Sequence, residues 1–116
     1  MEIISIENGI AEIIAEDLII TNVEDGTDLL GNIYYQGFSK AILYEKNIAP
    51  QFFDLSTKIA GEILQKFSNY RVSLAIVGNF ENYQSKSIKD FIFESNKLGK
   101  INFLNSKENA IKALSK

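Results

Sequence analysis

The sequence predicts one α/β domain: a mixed, mostly parallel sheet of four or five strands, opened by an N-terminal hairpin and covered by helices mainly on one face. Three observations predict it. The chain has 116 residues, the size of a single domain. Asn8-Gly9 separates two Ile-rich runs near the start, and Asn-Gly is the strongest short hairpin signal because both residues tolerate the positive φ of a type I′ turn. Beyond the hairpin, short apolar runs alternate with stretches of helical spacing. Alternation means parallel strands joined by right-handed crossovers. If consecutive strands are neighbours, every crossover helix falls on the same face.

Residues 2–7 (EIISIE) and 10–15 (IAEIIA) are the hairpin strands, and 18–21 (LIIT) continue as a short extended piece. Helical spacing begins after Asn22, with a stripe of Leu29, Leu30 and Ile33, and stops at Gly37. Residues 40–45 (KAILYE) read as a buried strand, and Asn47 to Gln51, which holds the one proline, as a loop. Leu55, Ile59, Ala60, Ile63, Leu64 and Phe67 form the next stripe. Asp54 is placed to cap that helix, since its carboxylate can accept from free first-turn amides. Residues 71–78 (RVSLAIVG) are apolar on both faces, as a central parallel strand covered by helices requires. A loop from Asn79 to Gln84 leads to Ser85-Lys86-Ser87, which caps a helix carrying Ile88, Phe91, Ile92 and Ser95; Ser87 with Asp90 fits a loose capping box. Residues 101–104 (INFL) are the last strand, and Ser106 caps a terminal helix with Ala110, Ile111 and Leu114.

Composition excludes much chemistry. Without Cys or His there is no disulfide, no thiol nucleophile, no Cys/His zinc site and no Ser-His-Asp triad. A net charge of −3 leaves no basic excess for nucleic acid. The longest apolar runs, such as Leu74-Ala75-Ile76-Val77, are far short of a membrane span. The acidic first 17 residues have no cationic start before an apolar stretch, which points to the cytoplasm. Arg71 is the one arginine among 12 basic residues, and with abundant Ile and Asn this indicates an AT-rich bacterial genome. No phosphate loop or dinucleotide motif occurs, so no cofactor is expected.

Two resemblances follow from particular segments. FFDLSTKIAGEILQKFSNYRVSLAIVGNF (52–80), with SKSIKDFIFESN (85–96), resembles a family of small bacterial proteins catalogued as a domain of unknown function. The order of elements is also similar to the STAS domain of anti-sigma-factor antagonists. That resemblance implies a phospho-switch: in such domains an Asp-Ser-Ser/Thr-Gly segment opens a helix, and a partner kinase phosphorylates the second hydroxyl residue. Here the segment is Asp54-Leu55-Ser56-Thr57, with Ser56 on the phosphorylated position, Leu55 in place of the first hydroxyl and Thr57 in place of the glycine.

Several residues could carry function. Asp54, Ser56 and Thr57 at a helix start fit phosphate acceptance, since free amides favour negative charge there, or simple capping. Ligands of open α/β sheets lie beyond the carboxyl ends of the strands, where Glu45-Lys46, Asp54, Asn79, Ser85, Ser87 and Ser106 should gather. Arg71 lies at the opposite end and is expected to tie its turn to Glu62 or Glu94. Asp90 and Glu94 could hold a hard cation, but Lys86 with Asp90 and Lys97 with Glu94 explain them more simply. Phe93 points away from its helix's stripe, and with Phe80, Tyr83 and Phe52 or Phe53 it could form an exposed patch for a protein partner or a homodimer seam. The expected function is a non-enzymatic regulatory or interaction module. The alternatives are a pocket for a small anionic or amphipathic ligand and, last, an enzyme using carboxylate, Lys and hydroxyl groups.

Overall fold

The Ile-rich runs flanking Asn8-Gly9 pair antiparallel as β1 (Glu2–Ser5) and β2 (Ala11–Ile14) in the computed structural model, which describes residues 1–115. Asn8 (φ 61°, ψ 26°) and Gly9 (φ 72°) both adopt left-handed backbone, as the Asn-Gly pair predicts. The strands are shorter than the Ile runs. The Ile6 amide donates to the Ile10 carbonyl (2.8 Å), and the link between them tightens into a 3-10 turn.

Asn22 opens α1 (Val23–Tyr35), its side-chain oxygen accepting from the Asp25 amide at 2.8 Å. β3 (Lys40–Tyr44), α2 (Ile59–Asn69), β4 (Ser73–Val77), α3 (Lys86–Leu98), β5 (Ile101–Leu104) and α4 (Lys107–Leu114) follow in alternation. The sheet order is β1-β2-β3-β4-β5, antiparallel at β1–β2 and parallel elsewhere. Stepping always in one direction, right-handed crossovers leave α1, α2 and α3 on one face. The side chains agree. Ala41, Leu43, Leu74 and Ile76 point into a core with Leu29, Ile33, Ile63, Phe67 and Ile88 of those helices. Their neighbours Ile42, Ala75 and Val77 point the other way, into a smaller core closed by Ala110 and Leu114 of α4. Strands apolar on both faces are what this two-sided burial demands. The 18–21 segment does not continue as an extended piece: it bends at Ile19 and Thr21 and makes one isolated parallel bridge, from Ile20 to Ile48.

Four other local expectations need correction. Asp54 does not cap α2. The chain makes two 3-10 turns, Pro50–Phe53 and Leu55–Thr57, and α2 starts only at Ile59, after Lys58 takes a left-handed conformation (φ 64°). A stripe of apolar residues cannot register that break, because Leu55 still packs against the core. The Ser87–Asp90 capping box is not formed: Ser87 lies inside α3, whose cap is Ser85, and Asp90 pairs with Lys86 (3.0 Å). Among the described residues the ion pairs are Lys86–Asp90 and Lys107–Glu12. Arg71 therefore ties to neither Glu62 nor Glu94, and Lys97 does not pair with Glu94; Arg71 instead makes the left-handed turn (φ 58°) from α2 into β4.

Candidate functional site at the carboxyl ends of the strands

Parallel strands deliver their following loops to one end of the sheet, and here those loops interlock. Glu45, just past β3, accepts from the Asn79 amide with Oε1 (2.9 Å) and from the Tyr83 hydroxyl with Oε2 (2.5 Å). One carboxylate thus holds both ends of the loop after β4. Gly78 makes room for it, because a Cβ there would collide with the Glu45 side chain. Burial, and then the bond to Glu45, push the Tyr83 phenol well above the usual tyrosine range, so it remains a donor. Asn79 caps the short turn Phe80–Asn82, its side-chain oxygen accepting from the Glu81 amide at 3.2 Å.

The rings expected to form an exposed patch mostly turn inward. Phe52 and Phe53 are buried, at 2% and 6% exposure. Phe53 stacks on Tyr83 with centroids 4.7 Å apart, and Phe80 meets Phe103 edge to face at 5.3 Å. Burying two large rings stabilises the domain more than displaying them would. Phe93 alone of that set stays open, at 64% exposure. Above the buried rings is an open groove of about 930 Å³, lined by Asn79, Phe80, Glu81, Lys89, Ile92 and Asn105 among others. Tyr83, Ser85 and Ser87 lie on the same loop and helix start but do not line it, and Ser106, on the loop after β5, is spent on capping α4 through the Asn109 amide (3.1 Å).

Ser56 and Thr57 follow Phe53 by three and four residues. Ser56 is exposed, and its hydroxyl donates to Asp54 Oδ1 (2.7 Å), which also accepts from the Ser56 amide (3.1 Å). These two bonds, the side-chain one first, hold the Asp54 carboxyl below its usual range. Thr57 Oγ1 donates toward the Gln51 and Asp54 carbonyls (2.9 and 2.8 Å). The segment is self-capped and outward-facing, and through Phe53 it is anchored beneath the groove loop.

One polar cluster escaped sequence reasoning. Glu12 of β2 is buried (7% exposed), accepting from the Tyr44 hydroxyl (2.5 Å) and from Lys107 Nζ (2.9 Å) on the face that α4 covers. Its signal is one charge inside an Ile-rich strand; its partners lie 32 and 95 residues away, beyond any spacing rule. Asn96, two residues beyond Glu94 on α3, turns its side-chain amide to β5. It donates to the Phe103 carbonyl (3.1 Å) and accepts from the Phe103 amide (2.6 Å), closing the outer edge of the last strand.

Fold and groove together define a small mixed-sheet α/β domain with an open cleft at the carboxyl ends of its strands. The chain belongs to the family described as Domain of unknown function (DUF4180), whose family model matches residues 6–114. No curated protein and no solved structure matches it. Among the described residues, no helix is long and apolar enough to cross a membrane.

Proposed function

We propose that the protein is a cytosolic bacterial regulatory module that binds a protein partner through the groove at the carboxyl ends of its strands, with Ser56, or Thr57 beside it, as the acceptor of a phosphate that tunes binding. One observation carries this reading: the Phe53–Tyr83 stack at 4.7 Å. It links the exposed hydroxyl turn to the loop that Glu45 clamps. A phosphate on Ser56 would face the ionised Asp54 and expel it from its hydrogen bonds, since two anions cannot share the same donors. The turn would unwind, Phe53 would shift, and its stacking partner Tyr83 would move the groove loop. The likeness to STAS domains supports the same assignment, because Ser56 matches their phosphorylated position.

Incubation with bacterial lysate and ATP, followed by phosphate mapping by mass spectrometry, tests the switch. Phosphate on Ser56 or Thr57 is the expected result. Its absence from both, under conditions that phosphorylate other proteins of the lysate, removes the switch.

A second reading is a small amphipathic anion in the groove, favoured by Lys89 standing among Phe80 and Ile92. Native mass spectrometry of freshly purified protein would then show a retained mass.

A further inference from the structure

Charge is divided unevenly along this chain. Residues 1–39 contain eight of the 15 acids and none of the 12 bases. The topology converts this division into geometry, because those residues build β1, β2 and α1, one flank of the sheet. On that flank, between the hairpin and α1, lies a second open cleft of about 650 Å³. It is far in sequence from the groove after β4 and shares no lining residue with it.

Two features of the cleft combine. Ile14 and Leu18 line it and stand open, at 37% and 50% exposure, so its floor offers apolar contact. Around them stand Glu2, Glu16, Asp17 and Asp28. None of these four takes part in the ion pairs found among the described residues. A fifth acid, Asp25, is committed to the Thr21 amide and hydroxyl. Like charges gathered around exposed apolar side chains raise the energy of the free protein. A cation with an apolar face would relieve both costs at once. A bare metal ion does not fit: among the described residues no three acids converge closely enough to hold one.

We propose that this cleft docks a Lys- or Arg-rich amphipathic segment of a partner protein. Cationic side chains of the segment pair with Asp17, Asp28, Glu2 and Glu16, while its apolar face covers Ile14 and Leu18. Charge complementarity sets the sign of the partner and speeds encounter, and the apolar floor supplies the affinity that charge alone lacks in salt. This inference stands apart from the proposed function, because it concerns a different flank and requires no phosphate.

The test is fluorescence anisotropy with a labelled peptide of about 18 residues, Lys and Leu at amphipathic helical spacing. A second peptide replaces every Leu with Ser. The protein is used as the full chain, alone and as Asp17→Asn/Asp28→Asn, with Glu94→Lys on α3, near the opposite edge of the sheet, as a control that changes net charge by the same amount. Both aspartates are exposed, and circular dichroism confirms that each variant folds. The expected result is saturable binding of the Lys/Leu peptide, weakened by about tenfold in Asp17→Asn/Asp28→Asn, nearly unchanged in Glu94→Lys, and about tenfold weaker for the Lys/Ser peptide. Hydrogen exchange should slow at residues 14–19 and 25–32 when the peptide binds. Equal losses in the two charge variants, equal binding of both peptides, displacement by spermidine at low millimolar concentration or no saturable binding would each overturn the proposal.

Discussion

A buried carboxylate shows how much a single residue can depend on distant ones. Burial alone would push Glu12 toward protonation, but the hydrogen bonds from Tyr44 and Lys107 and the Lys107 charge outweigh it, and its carboxyl lies below the usual 4.5. Folded Glu12 therefore binds protons less readily than unfolded Glu12. Its contribution to stability is fully present above the unfolded value and is lost as pH falls through the lower folded value. Urea midpoints of the wild type and Glu12→Gln, compared from about pH 7 down to pH 3, should differ most at neutral pH and converge in acid. Tyr44→Phe removes one donor from the buried carboxylate and should cost about 1–3 kcal/mol at neutral pH. At the other cluster, Gly78→Ala drives a methyl into Glu45 and should cost about 1–3 kcal/mol. Hydrogen exchange would report it first at the Asn79 amide, which loses its acceptor.

The elements themselves were largely legible in the sequence, because their signals are local. Asn8-Gly9 announced positive φ at both positions, Asn22 and Ser106 announced helix starts, and 71–78 announced a strand buried on both faces. What escaped was whatever depends on three-dimensional company. The break before α2 was hidden because Leu55 is apolar on either side of it, and the inward turn of Phe52 and Phe53 because exposed and buried aromatics look alike in one dimension. The candidate site was half legible. Glu45 and Asn79 were expected at one end of the sheet and meet there, but the Tyr83 hydroxyl that completes the clamp could not be read from spacing. Asn96, serving as the edge partner of β5, makes an element-scale prediction. Asn96→Ala strips two hydrogen bonds from the strand and should cost about 1–3 kcal/mol, with faster exchange at the Phe103 amide.

Across the whole molecule, the two faces of the sheet are protected unequally. Three helices close the larger core, whereas the smaller one depends on α4, only eight residues long. Leu114→Ala should accordingly cost about 2–5 kcal/mol, read from the thermal or urea transition, because no neighbouring helix can collapse into the space. The radius of gyration is 12.9 Å, and the loops at the carboxyl end are among the few places where such a small domain can display function. The central claim, a partner bound in the groove at the carboxyl ends of the strands, is tested most directly by photo-crosslinking in living cells. A photoreactive amino acid at Glu81 should yield a discrete protein adduct, which disappears when Ile92→Glu puts a charge into the groove while the melting temperature stays near that of the parent. No adduct from Glu81, or the same adduct with Ile92→Glu, would contradict it.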